Sequence, residues 1–388
     1  MPRLLILVAL AILASGERAL AEPLKFEVRL CPASKLYAYP LAPGTRFQSL
    51  VVPNVGVLNT GKGGVVVTDI VFDLMDKGEV IDSRRLAGET IRTAIKAGSA
   101  AQPQIDAFGF QFCDGKLLGS HPQLAASEAL ASGANALLTN QTFGWKGARD
   151  TLRVTAHATR EGRTETAIAA IPIRSDSVKT PLHFPLQGRW AVVVAGTPHG
   201  GHRWALPEAF AYDIVAFGAD DKTYSGLGQA LTDYHAYGAP VLAAADGVVI
   251  EVVSDVPESA EILRRTGESF DAYGERMGEF QAKLLGQGEK AIAGNAIIVD
   301  HGDGVYSLYA HLKPGSIQAK VGDKVKAGDR IGQLGASGNA TEPHLHFQVC
   351  DAPSSLHCAG IPLAFTNVEL PYADGPRAIQ AGDIVIAR

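Results

Sequence analysis

The residues best suited to chemistry concentrate in GASGNATEPHLHFQV, residues 335–349, and within it in His344-Leu345-His346. A glycine-rich turn feeds an alternating run, His-Leu-His-Phe-Gln-Val, and a period of two reads as a strand. Successive strand side chains point to opposite faces, so His344 and His346 share one face while Leu345 and Phe347 share the other. Two neighbouring imidazoles can divide labour, one binding a metal and the other handling protons. A bare His-x-His on an edge strand is equally a pair of surface histidines. The rest of the chain decides between these readings.

Three further sites supply partners. Asp213 stands in the apolar run AYDIVAFG between Tyr212 and Ile214. A carboxylate there is costly to bury unless it is paired or bound to a metal. His311 ends the strand SLYAHL, where alternation puts it on the face of Tyr309, with Leu308, Ala310 and Leu312 on the other. The turn GTPHGGHR carries His199 and His202 just ahead of the Asp213 strand. By contrast His301, in the turn DHGDG, reads as a hairpin residue, and His121 and His157 show no ligand spacing.

The elements that must hold these side chains are mostly strands. From Lys25 to Arg174 the runs KFEVRL, FQSLVVPNVGVLN, GGVVVTDIVFDLM, FGFQFCDGKLLG and DTLRVTAHATREGRTETAIAAIPI lie between Gly, Asn and Asp turns. That spacing predicts an antiparallel β-sandwich over residues 22–175, with a helix-prone or irregular stretch from Arg84 to Ala107. A linker-like run, SDSVKTPLHFPLQG, leads into the second unit, residues 176–388. Its runs YGAPVLAAADGVVIEVV, GNAIIVDHGDGVYSLYAHLKPGSI and VGDKVKAGDRIGQLGASG again read as strands joined by tight turns. Between about 256 and 288 the β texture gives way to a helical insertion. Leu263, Phe270, Tyr273, Met277, Phe280 and Leu284 recur there at three-to-four spacing. Its ends interrupt a hairpin, so it is expected beside the groove, restricting access.

Composition narrows the classes. The 388 residues are 46% hydrophobic, which suits globular domains. A formal charge of −5 offers no basic surface for nucleic acid. Residues 1–21 read as a cleavable export signal: Arg3, an apolar run from Leu4 to Ala14, then Ala19-Leu20-Ala21 before Glu22. Beyond it no segment is apolar and long enough to span a bilayer, so the mature chain is expected to be periplasmic or secreted, without a transmembrane segment. In an oxidising compartment four cysteines favour pairing. Cys350 and Cys358 bracket a short loop, leaving Cys31 and Cys113 as the second pair.

Taken together, Asp213, PVLAAADGVV, GNAIIVDHGDGVYSLYAHL, VKAGDRIGQLGASG and EPHLHFQV resemble the lysostaphin/LytM-type zinc metallopeptidases of bacterial cell walls. The resemblance covers about half of the chain, from near Pro185 to past Gln348, with the motifs in order. It implies that the second half is a carboxy-terminal duplicated-hybrid-motif (barrel-sandwich) β domain, from which the helical insertion is a departure; with the amino-terminal antiparallel β-sandwich read from strand spacing, the chain is expected to be mainly β. It also implies an endopeptidase that cuts peptidoglycan peptide with one Zn2+. Asp213 and His346 become zinc ligands, while His344 and His311 orient or deprotonate water and stabilise the oxyanion.

The family's third ligand is a histidine four residues before the aspartate, a position held here by Ala209. His202 is the replacement, with His199 in reserve. Two imidazoles and one carboxylate leave a coordination position open, the layout of a catalytic zinc site. With no His-Glu-x-x-His glutamate, proton transfer falls to a histidine. Two rivals remain: a non-catalytic member of the same fold that regulates another hydrolase, and a lipoyl-like or phosphotransfer carrier suggested by Val-Lys-Ala-Gly-Asp alone. The export signal argues against the second.

Overall fold

The computed structural model describes residues 26–40, 46–108, 113, 115–175, 177–195, 201–375 and 377–388. The export-signal reading and His199 lie outside them. The chain is mainly β, with a small helical content.

Two sheets build the first half. One joins β1 (Phe26–Cys31), β2 (Phe47–Asn59) and β5 (Ala134–Lys146). The other joins β3 (Val65–Asp76), β4 (Glu79–Ala87), β6 (Thr151–Arg160) and β7 (Arg163–Arg174). These long strands pair antiparallel, and their inward side chains meet in one core: Val28, Leu50 and Val57 against Phe72, Val154 and Ile171. Helix α1 (Glu89–Ser99) closes that core with Ile91 and Ile95.

Two local expectations are corrected here, and one strand is added. Arg84 to Ala87 continue β4, a strand whose exposed, charged side chains carry no apolar alternation; only afterwards do α1 and α2 (Gln102–Phe108) form. In FGFQFCDGKLLG the described residues turn rather than extend. Leu117 and Leu118 are both buried against Leu58 and Leu137, which consecutive positions on a strand could not achieve. Strand β5, interrupted by Asn140 at φ 50°, has no clean period and escapes the pattern.

The second half is organised by one large sheet. Its central order is β10 (Gly247–Val253), β11 (Asn295–Asp300), β12 (Tyr306–Leu312), β13 (Leu345–Cys350), β9 (Tyr212–Val215), β8 (Gly188–Val194) and β14 (Ile384–Ala387). A small antiparallel pair, Pro240–Leu242 with Arg330–Gln333, packs on one face. Between them lies the core, with Leu345, Phe347, Tyr309, Ile214 and Val241. The opposite face of β13 is left for His346 and Gln348.

The insertion is helical only in part. Helix α3 (Phe270–Gln287) starts at Ser269, whose Oγ accepts the Ala272 N–H at 3.2 Å, and Gly267 at φ 79° marks the turn before it. Leu263 belongs instead to the extended segment after a short 3-10 turn. Leu263, Tyr273, Met277 and Phe280 cover Tyr234, Ala336 and Ala340, so most of the apolar stripe is satisfied within the chain; Phe270 is 77% exposed. Among the described residues no helix is long and apolar enough to cross a membrane. Both cysteine pairs are bonded, Cys31–Cys113 and Cys350–Cys358.

Candidate metal centre

Strand register creates the first contact. On neighbouring strands β9 and β13, Asp213 lies directly opposite His346, and Ala310 of β12 faces His346 from the other side. Alternation then sends Leu345 and Phe347 into the core and His344 and His346 to the other face. His346 Nδ1 sits 2.9 Å from Asp213 Oδ1. From the loop before β9, His202 Nε2 reaches 3.2 Å from Asp213 Oδ2. The ligating atoms of His202, Asp213 and His346 all fall within 4.8 Å of one another.

His311 reaches the site by a different route. Strict alternation would point it into the core with Tyr309. Its backbone is instead left-handed, φ 61°, which turns it to the cleft face beside His344, ring centroids 4.8 Å apart. A non-glycine residue held there costs about 1–3 kcal/mol, the kind of strain found at functional sites. The expected shared face with Tyr309 is thereby corrected; Leu312 returns to the core.

Hydrogen bonds fix which nitrogen each ring offers. His311 Nδ1–H donates to the Ser337 carbonyl at 2.8 Å, and His344 Nδ1–H donates to the Glu342 carbonyl at 2.8 Å. Both rings therefore keep Nε2 for the cleft. For His346 the arrangement is reversed. The Gln348 amide nitrogen donates to the Ser355 carbonyl at 3.3 Å, so its Oε1 accepts from His346 Nε2–H at 2.9 Å. That leaves Nδ1 turned to Asp213. Gln348 went unnoticed in the sequence, although it lies two residues beyond His346 on the same strand face.

Electrostatics follow from this packing. Burial raises the Asp213 carboxyl, but the His344 charge and hydrogen bonds from His202 and His346 override it and hold it well below the usual range. Burial depresses His346, yet Asp213 lifts it to about 9. Burial, then the charges of His344 and His346, press His311 well below 6.5, so it is neutral and able to accept a proton.

The donor set fits a tetrahedral divalent ion such as zinc. Bonds of about 2.0–2.2 Å at tetrahedral angles put ligand atoms roughly 3.3 Å apart; His346 Nδ1 lies 2.9 Å from Asp213 Oδ1 and His202 Nε2 3.2 Å from the other carboxylate oxygen, Oδ2. Without a cation between them, the Asp213 oxygen and the His346 Nδ1 lone pair would repel unless Nδ1 carried a proton. The same gap accepts either a proton or a metal.

A cleft of about 1040 Å³ surrounds the cluster. Both halves of the chain line it: Arg29 and Lys116 from the first half, Gln281 and Leu285 from α3, Leu356 and His357 from the Cys350–Cys358 loop. His301 lies elsewhere, tied to Ser307 and the Asp246 carbonyl, and His157 pairs with Asp69.

Set against known proteins, residues 280–356 match the model of Peptidase family M23. The matched stretch holds His311, His344 and His346. This stretch of the chain is thus similar to M23 peptidases, the lysostaphin and LytM kind that its motifs resemble. The chain is 43% identical over 61 residues to the cell division protein DipM of Caulobacter vibrioides, covering 16% of this chain and 10% of that protein. It is 40% identical over 74 residues to the peptidoglycan DD-endopeptidase ShyA of Vibrio cholerae, covering 19% and 17%. The aligned stretches therefore span less than a fifth of these relatives. Among solved structures, the catalytic domain of the M23 protein EnpA from Enterococcus faecalis aligns at 19% identity and TM-score 0.27, over 48% of this chain and 95% of that one.

Proposed function

We propose that the chain is an exported zinc metallo-endopeptidase that hydrolyses peptide bonds of cell-wall peptidoglycan. In this reading residues 1–21 are the export signal, 22–175 a β-sandwich domain and 176–388 the peptidase domain. One observation carries it: the candidate ligand atoms of His202, Asp213 and His346 lie within 4.8 Å of one another, while His311 and His344 present free Nε2 atoms to the same cleft. The family match and the name of the Vibrio relative support the substrate class.

His202, Asp213 and His346 would hold the ion, which supplies an acidified water and a polarised scissile carbonyl when bound. Gln348 keeps the His346 Nε2 proton in place, so Nδ1 stays available. Neutral His311 is suited to accept the proton of the attacking water, and His344, once its Nε2 also takes up a proton, to stabilise charge developing on the carbonyl oxygen or to protonate the leaving amine. Walls from both halves of the chain line the cleft that would receive the peptide.

The test is digestion of purified peptidoglycan with the mature protein and mass analysis of the released muropeptides. New amino and carboxyl ends at one peptide linkage are expected. Intact muropeptides from zinc-loaded protein would instead support the non-catalytic relative.

Protonation gives a second expectation. Metal-free His346 holds its proton up to about pH 9, and that proton must leave before Nδ1 can ligate. Zinc binding near neutral pH should release about one proton, so affinity should climb by about tenfold per pH unit and level off near 9. Calorimetry in buffers of different ionisation enthalpy reads this directly; a heat independent of the buffer would contradict it.

A further inference from the structure

The supports of the three proposed ligands differ, and the difference falls on His202. Asp213 and His346 ride on adjacent strands of the large sheet, whereas His202 sits on a 3-10 turn, Gly201–Trp204, at the head of a loop. His311, His344 and His346 each have the ring nitrogen remote from the centre hydrogen-bonded. His202 Nδ1 is buried and has no such partner among the described residues. A metal-binding histidine is ordinarily oriented through that second nitrogen. Here the orientation has to come through the backbone.

The backbone is held by the next residue. Arg203 is only 2% exposed, and no carboxylate pairs with it among the described residues. Its guanidinium carbon lies 4.5 Å from the Phe210 ring and 5.6 Å from the ring of Tyr39, which belongs to the first half. Tyr39 and Phe210 stack on each other at 5.7 Å and 17°. Further along the loop, Leu206 packs against Cys31, Leu117 and Leu137 of the first half, while its carbonyl accepts the Gly360 N–H from the other side. The Ala205 N–H to His202 carbonyl bond, 2.9 Å, closes the turn, so His202 and Arg203 shift together.

We propose that Arg203, packed over the stacked rings of Phe210 and Tyr39, is the positioning residue for His202, so that the docked first half completes the metal centre. The inference rests on the reading of His202 as a ligand. It explains how a ligand displaced from position 209 to a longer loop is kept in place. A desolvated cation over aromatic faces is held there by the ring quadrupoles, which biases the short turn, and removing Tyr39 weakens that hold.

The experiment measures zinc affinity of the folded full-length mature chain by competition with a chromogenic chelator. Tyr39→Ala and Arg203→Met are expected to weaken zinc by about ten- to a hundredfold, the scale of losses from groups that orient ligands. Tyr39→Phe, which keeps the ring, should recover the affinity lost in Tyr39→Ala. A purely structural role would lower the melting temperature without moving the dissociation constant. Should Arg203→Met not fold, the Tyr39 pair decides. Wild-type affinity in folded Tyr39→Ala, with zinc lost in His202→Ala, overturns the positioning role alone. Wild-type affinity in His202→Ala overturns the ligand reading and this inference with it.

Discussion

His346→Ala is expected to lose zinc and hydrolysis together. The imidazole stands at the centre of three β-strands, opposite Asp213 and beside Ala310, so no neighbouring histidine can slide into its place. His344 Nε2 is 3.6 Å from Asp213 Oδ1, but its ring is tied to the Glu342 carbonyl. With one imidazole gone, the remaining pair, His202 and Asp213, cannot hold a divalent ion against solvent at micromolar concentration. Turnover should fall to background, at least about 1000-fold, a loss typical of removing an indispensable catalytic group. The fold should survive, because the surrounding core, Leu345 and Phe347, faces the other way. Metal analysis beside a peptidoglycan-release assay checks both halves of the expectation. Stoichiometric zinc in folded His346→Ala would refute the assignment.

His311→Ala and His344→Ala should separate what His346→Ala removes at once. Neither ring belongs to the cluster whose atoms lie within 4.8 Å, so zinc is retained. What disappears is proton transfer and charge stabilisation, worth about 10²–10⁴ in kcat for each group. His311→Ala has an additional signature: alanine at φ 61° keeps the backbone strain without the Ser337 hydrogen bond, so the variant should also be less stable. His311→Gly, which tolerates that φ, should regain the stability but not the turnover. Metal content, kcat and thermal unfolding of the three variants check this. Wild-type kcat in His311→Ala or His344→Ala would remove that residue from the mechanism.

Much of the site was legible because strands write their geometry into the sequence with a period of two. His344 and His346 could be put on one face, with Leu345 and Phe347 behind them, before any coordinates. Asp213 stood out as a carboxylate in an apolar strand. His311 was found through its motif but given the wrong face, since a single left-handed residue breaks alternation and leaves no mark on residue types. The same limit hid strand β4, whose charged faces carry no period, and the turn around Leu117 and Leu118. Arg203 was the least visible. Its importance comes from contact with Tyr39, more than 160 positions earlier, and local patterns say nothing about such contacts.

In the proposed function the cleft hydrolyses peptidoglycan peptide through a bound zinc ion. The most direct measurement is release of soluble peptide from purified peptidoglycan by the mature protein before chelation, after chelator removal of metal, and after zinc is restored to one equivalent. Hydrolysis that vanishes with the metal and returns with that single equivalent is the predicted result. Undiminished hydrolysis by metal-free protein, or none by protein holding one zinc, would contradict the account.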